Sequence, residues 1–344
     1  MEIPHNVLII RLSAFGDVAM STAAVKGVVE KHPDTRFTML TKSGSEPLFG
    51  GIKDLRVIGA DFKEQYKGIG GVLKLAKQLS KNDYDYIIDL HDVLRTKLIR
   101  SYFYTAKGVK SSVIDKGRGE KKDFIRKKLT SPLKHTIERY LDVFKKAGLN
   151  ASFSLPSLIP SDEAERTIST YLAALSYEKT VCIAPYAAHD NKVWGDDKIS
   201  ELIELLRQNQ LNILLIGGRS EKDNLENIAS KFENVEVIAG KFSLEEEMAL
   251  LSSVTLNITM DSFNMHLASL SGGTVVSIWG ATAPLLGFAP LGKSQEYTIS
   301  TGRELPCRPC SVYGAKECEQ KSLLCMENIS AKLVYEFIKD KKLI

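Results

Sequence analysis

Short apolar runs of strand character alternate along the chain with segments of helical periodicity, and this alternation restricts the fold more than any other feature. Strands that alternate with helices predict parallel sheets covered by helices, the α/β class. The chain of 344 residues is long enough for two such domains. The strand-like runs lie near residues 7–11, 36–41, 86–90, 110–114, 180–185, 211–217, 235–239, 256–259 and 274–279.

The segment 149–161 divides these runs into two groups. It contains Pro156 and Pro160 and few charges, which is typical of a linker between domains. We therefore expect a first domain over residues 1–155, a second over 156–328 and a final helical segment over 329–344. The sequence pattern alone allows this last helix to pack on either domain.

Charge and hydropathy limit the partners and the location of the protein. The net charge of +4 is too small to indicate a nucleic-acid partner. No run approaches the roughly 20 apolar residues of a transmembrane helix. The first five residues lead directly into a strand without the pattern of a signal peptide. We therefore expect a cytoplasmic protein without a transmembrane segment.

One predicted strand in the second half leads into a helix whose first turn is polar. Asp261 is predicted to cap this helix, which would leave the amides of Ser262 and Phe263 free to bind an anion. His266 lies four residues after Ser262 and should share its face of the helix. The segment is typical of a phosphate site, and the alternative is an ordinary helix start with a surface histidine.

A small-residue turn separates the first strand from the first helix, where doubly wound folds bind ligands. This turn, Leu12-Ser13-Ala14-Phe15-Gly16-Asp17, lacks the three spaced glycines of a dinucleotide fingerprint and the Gly-Lys-Ser/Thr of a P-loop. A dehydrogenase and a P-loop NTPase are therefore disfavoured. Asp17 is either a general base or a carboxylate that merely stabilises the helix start.

Three motifs together resemble the bacterial heptosyltransferases of lipopolysaccharide core synthesis, glycosyltransferase family 9. They are Leu8-Ile9-Ile10-Arg11-Leu12-Ser13-Ala14-Phe15-Gly16-Asp17-Val18, Asp190-Asn191-Lys192-Val193-Trp194 and the segment from Asp261-Ser262 to His266. The resemblance implies the GT-B architecture, two facing Rossmann-like domains with a deep interdomain cleft, and a last helix that packs on the first domain. It also implies inverting, metal-independent transfer, with an acceptor on the N-terminal domain and an ADP-sugar on the C-terminal one.

The resemblance assigns roles to matching residues. Asp17 corresponds to the catalytic base, and Lys192 follows a strand at the correct end of the sheet to bind the donor diphosphate. Glu221 corresponds to the ribose-binding carboxylate, after the strand that ends in Gly217 and Gly218. Asp261, Ser262 and His266 would lie near the phosphates. Related sequences commonly have glycine where this chain has Phe263.

A basic segment over residues 107–134 contains ten lysines and arginines against three acidic residues. Such a run is either a mobile solvated loop or a platform for an anionic acceptor at a membrane surface. In the family that it resembles, the acceptor is a phosphorylated, Kdo-bearing lipid A precursor. The candidate acceptor-binding residues are Ser13, Lys121, Lys122 and Arg126.

Four of the five cysteines lie in one loop, at Cys307, Cys310, Cys318 and Cys325. The spacing, C-x2-C-x7-C-x6-C, indicates a structural zinc or iron site more than disulfides in a cytoplasmic protein. The alternatives are reduced, unpaired thiols and disulfides formed on isolation. Catalysis itself is expected to need no cofactor.

The sequence therefore predicts a heptosyltransferase-like enzyme. It would move a sugar, expected to be heptose from ADP-heptose, onto a lipopolysaccharide core or related glycolipid at the inner face of the cytoplasmic membrane. The alternatives are an inactive nucleotide-sugar or phosphoglycan-binding protein of the same fold and a GT-B sugar-nucleotide epimerase. Contact of the protein with the membrane periphery is left open.

Overall fold

The computed structural model describes residues 3–301 and 305–344, which form two compact α/β units. The first unit runs to Lys116 and takes in Thr136–Ile159, and the second consists of Gly117–His135 and Pro160–Ile344. The division at Ile159 lies inside the linker predicted over residues 149–161. In the described ranges, each helix is too short or too polar to span a bilayer.

The sheet of the first unit has five parallel strands in the order β3-β2-β1-β4-β5. Strand β1 is central and its residues 7–10 are fully buried, which explains the continuous apolar run in the sequence. The strands are β1 Asn6–Ile10, β2 Arg36–Lys42, β3 Leu55–Ala60, β4 Tyr86–Asp89 and β5 Lys110–Val113.

Four helices cover this sheet in two pairs. Helix α1 packs against α5, and α2 packs against α3. Right-handed crossovers place the two pairs on opposite faces of the sheet. The helices are α1 Phe15–Lys31, α2 Gly68–Leu79, α3 Leu94–Lys107 and α5 Thr136–Lys145.

The sheet of the second unit has six parallel strands in the order β11-β10-β9-β6-β7-β8. Its strands are β6 Lys179–Ala184, β7 Leu211–Leu215, β8 Val235–Val237, β9 Leu256–Met260, β10 Val275–Trp279 and β11 Thr298–Ser300. Its helices are α4 Arg118–Ile125, α6 Asp162–Ala173, α7 Asp196–Arg207, α8 Lys222–Ala229, α9 Leu244–Ser253, α10 Phe263–Leu270, α11 Leu324–Glu327 and α12 Ala331–Asp340.

All nine predicted strands are present, with ends that differ by one or two residues, so the α/β prediction is confirmed. Strands β3 and β11 were not predicted. Both are edge strands. Arg56 and Gly59 interrupt β3, and β11 has only three residues, so neither gives the continuous apolar run of a central strand.

Helix α12 packs in the second unit, and its prediction as part of the first domain was wrong. Its buried face, which includes Val334 and Ile338, joins the apolar core of the second unit, and the helix contacts α7. The indole of Trp194 and the ammonium of Lys198 both donate to the carbonyl of Ile329, at 2.9 and 3.0 Å. These bonds hold the segment before α12 beside α7.

The basic segment also departs from the continuous first domain that we predicted, because residues 117–135 belong to the second unit. The amide of Leu133 donates to the carbonyl of Leu285 at 2.9 Å. The imidazole Nε2 of His135 lies 3.0 Å from the carbonyl oxygen of Ala289. The segment is therefore an ordered part of the second unit, not the mobile loop that its composition allows.

Candidate active site

The candidate base, Asp17, lies in the first turn of α1, just after the turn that follows β1. Its Oδ2 is 2.6 Å from Nη2 of Arg11, and Nη1 of Arg11 donates to the carbonyl of Leu90 at 2.6 Å. The Arg11 side chain is 6% exposed, whereas that of Asp17 is 29% exposed. The carboxylate is therefore fixed by its partner and still accessible, as a general base must be.

Helix α5 supports this ion pair from the adjacent side. The hydroxyl of Tyr140 donates to the backbone carbonyl of Asp17 at 3.2 Å. The guanidinium carbon of Arg11 lies 5.6 Å from the centre of the Tyr140 ring, a cation–π distance. Ser13, a candidate acceptor-binding residue, is exposed in the same turn. Its role stays a prediction.

A second polar group lies at the end of β4 and was missed in the sequence. Asp89 is fully buried. Its Oδ1 accepts the amides of His91 and Asp92, each at 2.9 Å, and its Oδ2 is 2.8 Å from Nε of Arg100. The available signal was the run Asp-Leu-His-Asp directly at the carboxyl end of a buried strand, where ligands bind in such sheets.

His91 connects the ends of β4 and β1. The amide of Leu12 donates to its Nδ1 at 3.3 Å, and the residue is only 7% exposed. Burial, and then the positive charges of Arg11, Lys116 and Arg95, lower the pKa of His91 to about 3. The imidazole is therefore neutral near pH 7, with its proton on Nε2.

In the second unit, Lys192 and Asp261 form a buried ion pair at the carboxyl ends of neighbouring strands β6 and β9. Nζ of Lys192 lies 2.9 Å from both Oδ2 and the carbonyl oxygen of Asp261, and Thr282 donates to the same Oδ2 at 2.6 Å. The side chains of the pair are 12% and 11% exposed. Thr282 was not predicted, since it lies 21 residues from its partner.

The predicted helix cap of Asp261 is wrong. The N-cap residue of α10 is Ser262, because the carboxylate of Asp261 is committed to Lys192 and Thr282. Within the described ranges, the Ser262 hydroxyl makes no capping bond, and its buried oxygen has no hydrogen-bond partner. A partnerless hydroxyl beside the first amides of a helix is typical of an anion site.

His266 and Phe263 follow within α10. His266 is 7% exposed, so the alternative of a surface histidine was wrong. Phe263 is the first residue of the helix and is half-buried. The structure therefore brings together Lys192, Asp261 and Ser262, with His266 one turn further along the helix.

The carboxylate of Glu221 closes the turn after β7. Its Oε2 accepts the amide of Gly218 at 2.6 Å. A Cβ added at Gly217 would lie 2.6 Å from the same oxygen, so a side chain there would displace the Glu221 carboxylate. Glu221 thus stabilises the start of a helix, and its ribose role stays a prediction.

The three basic residues predicted to bind acceptor differ in their environments. Lys121 is buried, and its ammonium lies 4.4 Å from the centre of the Phe288 ring and 6.0 Å from that of Tyr313. Its burial argues against contact with an acceptor, and its acceptor role stays a prediction. Lys122 and Arg126 are exposed, and their acceptor role stays a prediction.

The four clustered cysteines are all free thiols. Burial, together with the neighbouring thiols of Cys307, Cys325 and Cys318, raises the pKa of Cys310 to about 11. The thiols are therefore close enough to interact. Nevertheless, in residues 3–301 and 305–344 no three His, Cys, Asp or Glu side chains are arranged to hold a metal ion.

The cysteine loop lies against the ion pair of the second unit. The buried guanidinium of Arg308 donates to the carbonyls of Gly280, at 2.6 Å, and Thr282, at 2.9 Å. Gly314 has φ +83°, and a Cβ there would lie 2.9 Å from the Lys192 methylenes. The loop therefore supports the segment that carries Thr282 and covers the stem of Lys192.

Comparisons with known proteins agree with this geometry. Residues 72–319 match the model of "Glycosyltransferase family 9 (heptosyltransferase)". The chain is 25% identical over 298 residues to the lipopolysaccharide core heptosyltransferase OpsX of Haemophilus influenzae, covering 83% of this chain and 81% of OpsX. It is 28% identical over 281 residues to lipopolysaccharide heptosyltransferase 3 of Escherichia coli K12, covering 78% and 80%.

Solved structures show the same fold. A family 9 glycosyltransferase from Veillonella parvula has a TM-score of 0.77 at 16% identity and covers 100% of this chain and 98% of its own. E. coli WaaC with ADP-2-deoxy-2-fluoro heptose has a TM-score of 0.68 at 18% identity, covering 98% and 99%. The iron-containing glycosyltransferase TibC from enterotoxigenic E. coli has a TM-score of 0.59 at 12% identity, covering 100% and 78%.

The likeness to family 9 structures confirms the predicted GT-B fold. The family model spans well over half of the residues, and the curated relatives are aligned over most of the chain. Asp17 lies at the carboxyl edge of the first sheet and Lys192 at that of the second. The protein therefore belongs to glycosyltransferase family 9, the family of the lipopolysaccharide heptosyltransferases.

Proposed function

We propose that the protein transfers heptose from ADP-heptose to the anionic, Kdo-bearing glycolipid acceptor of lipopolysaccharide core synthesis, with inversion and without a catalytic metal. The observation that carries this proposal is the Lys192–Asp261 pair beside the hydroxyl of Ser262, which has no partner among the described residues, at the start of α10. The related E. coli WaaC was solved with ADP-2-deoxy-2-fluoro heptose, which supports an ADP-sugar as donor.

The donor diphosphate would bind at the start of α10. An ammonium has three N–H donors, and within the described residues Lys192 uses them only on the two oxygens of Asp261. Its remaining N–H, the Ser262 hydroxyl and the first amides of α10 would bind phosphate oxygens. His266 would flank this site. Glu221 would accept the ribose hydroxyls, where Gly217 and Gly218 allow close approach.

The chemistry requires one proton acceptor and stabilisation of one leaving group. Asp17 would take the proton of the acceptor hydroxyl as its oxygen attacks C1 of the sugar, on the face opposite to the diphosphate. The C1–O bond to the β-phosphate breaks, its electron pair leaves with ADP, and C1 inverts. Lys192 and the amides of α10 would stabilise the departing charge, so no metal ion is needed for this step.

The acceptor proposal rests on the exposed basic residues. Lys122 and Arg126 offer cations to phosphate or carboxylate groups, and Ser13 lies in the turn that carries Asp17. Basic clusters gain about 1 kcal/mol per residue near anionic head groups. We therefore propose that the protein works in the cytoplasm, at the periphery of the inner membrane face. Lys121 has no part in this surface because its ammonium packs on Phe288.

A transfer assay with EDTA tests the proposal and its rivals. ADP-heptose is incubated with the O-deacylated, Kdo-bearing lipid A precursor, and the anomeric configuration of the product is read by NMR. Inverted product formed in EDTA supports the proposal. A binding protein would retain ADP affinity without forming product, and an epimerase would convert the donor without acceptor. Either of those two outcomes contradicts the proposed transfer.

A structural zinc or iron ion in the cysteine loop is a separate proposal, independent of the transfer step. Partial burial acts to raise the pKa of Cys318, but amides of residues 320–323 donate to its sulfur and bring the pKa below its ordinary value. A stabilised thiolate suits a metal ligand, and the related TibC contains iron. The thiol arrangement itself does not form a metal site within the described residues. Elemental analysis of the purified protein and of Cys318→Ser tests this proposal. A stoichiometric metal that is present in the wild type and lost in the variant supports it, and a wild type without metal contradicts it.

A further inference from the structure

We infer that His91 binds the acceptor sugar, by donating a hydrogen bond from Nε2–H to one of its oxygens. The inference rests on the proposed function and adds a residue to it. His91 lies at the carboxyl end of β4, next to β1 in the sheet, and the turn after β1 carries Asp17.

The protonation of the ring follows from its hydrogen bonds. A peptide N–H can only donate, so Nδ1 of His91 must accept from Leu12. A neutral imidazole with an accepting Nδ1 carries its single proton on Nε2. Within residues 3–301 and 305–344, no hydrogen bond is made by this Nε2–H, although His91 is 93% buried. The Nε2 atom is not itself buried, so this donor is open to a ligand at the carboxyl end of the sheet.

Two hydrogen bonds join the loop of His91 to the turn of Asp17. The Leu12 amide binds the His91 ring, and Arg11, which pairs with Asp17, donates to the carbonyl of Leu90. Because Leu90 directly precedes His91, His91 and the base Asp17 are fixed to the same edge of the same sheet. A sugar that presents its hydroxyl to Asp17 therefore meets a preorganised neutral donor.

His91 cannot compete with Asp17 for the proton. Burial of the ring, and then the positive charges of Arg11, Lys116 and Arg95, keep it neutral. The same three cations favour an anionic sugar at this edge. His91 would therefore orient the acceptor, whereas Asp17 alone would take its proton.

Two substitutions separate ligand binding from a purely structural role. In His91→Asn the side-chain oxygen can still accept the Leu12 amide, but no N–H reaches the position of Nε2. In His91→Gln the terminal amide reaches that position, but the bond to Leu12 is lost. The readouts are calorimetric titrations with the O-deacylated, Kdo-bearing lipid A precursor and with ADP, and the melting temperature.

We expect His91→Asn to weaken binding of the precursor at least about tenfold, the effect of leaving a ligand oxygen without its donor. ADP affinity and the melting temperature should stay close to those of the wild type. His91→Gln should bind the precursor nearly as well as the wild type and melt at a lower temperature. The reverse pattern, with unchanged precursor affinity in His91→Asn, overturns the inference.

Failure of the proposed transfer would give a different result. A wild type that binds the precursor without forming product refutes the transfer, and the two variants still test His91. A wild type that does not bind the precursor refutes both the proposed acceptor and the role of His91. Normal transfer with equal precursor affinity in all three proteins refutes the inference alone.

Discussion

The carboxyl edges of the two sheets have the same parallel topology but use their polar groups differently. At the edge of the first unit, charges are paired with one another: Arg11 with Asp17, and Arg100 with Asp89. At the edge of the second unit, Lys192 is paired with Asp261, but the nearby hydroxyl of Ser262 has no partner within the described residues.

The difference indicates two tasks. A network of charge pairs orders side chains before any ligand arrives, which suits a group that must act on a proton. An unfilled hydroxyl at a helix start stays costly until an anion binds it, which suits a phosphate site. The charge pairs of the first edge thus hold the reacting group in place beside the open His91 donor, whereas the second edge is built to bind the charged diphosphate of the sugar donor.

The largest expected effect comes from removing the charge of the base. Asp17→Asn should lower the single-turnover rate of transfer about 10²- to 10⁴-fold, the usual contribution of a general base, while ADP affinity stays unchanged. Rapid-quench kinetics and calorimetry measure the two quantities. An equal loss of ADP affinity would contradict the division of tasks between the two edges.

Removing the Lys192 ammonium at the second edge should lower the affinity for the nucleotide of the sugar donor instead of the rate of transfer. Lys192→Ala should weaken ADP binding by about 10- to 100-fold, since charge-assisted hydrogen bonds are worth about 1.5–3 kcal/mol. Lys198→Ala is a matched control, because its ammonium binds only the carbonyls of Met326, Glu327 and Ile329 within the described residues. The control should lose stability without losing ADP affinity. Similar ADP affinities in both variants would refute the donor site.

The buried imidazole of His91 should make the stability of the protein depend on pH. The pKa of His91 is lowered to about 3 in the folded state, so its contribution to stability is present above pH 6.5 and is lost as the pH falls from about 6.5 towards 3. Between pH 7.5 and 5.5 the loss should be about 1.4 kcal/mol. His91→Asn should lack this part of the pH dependence. Urea denaturation at both pH values measures it, and parallel losses in the two proteins would exclude His91 as the cause.

The smallest expected effect concerns the hydroxyl of Ser262. Ser262→Ala should weaken ADP binding about 3- to 10-fold, the worth of one hydrogen bond, and raise the stability of the free protein by up to about 1 kcal/mol. Ser271→Ala at the other end of α10 is the control, because that hydroxyl already donates to the Leu267 carbonyl at 2.8 Å. It should lower stability and leave ADP affinity unchanged. A loss of stability in Ser262→Ala would mean that the hydroxyl already has a partner in solution.

The sequence predicted nine of the eleven described strands and singled out Asp17, Lys192 and Ser262 as candidates through motifs, because these features depend on neighbours within a few residues. It did not predict the partners of these side chains. Arg11 reaches Leu90, and Lys192 reaches Asp261, across 79 and 69 residues of chain. The cap of α10 was misassigned for the same reason, since Asp261 is drawn to Thr282, 21 residues away.

Substitutions at Gly314 in the cysteine loop could provide alleles with partial loss of function. The backbone of Gly314 lies so close to Lys192 that any other residue would place a Cβ 2.9 Å from the lysine methylenes, roughly 0.6–1 Å inside ordinary carbon–carbon contact. Alleles with side chains of increasing size at this position would lower the affinity for the nucleotide sugar progressively, without altering a residue that touches substrate. Such partial-loss alleles would allow the demand of a cell for this sugar transfer to be measured, which null alleles cannot do.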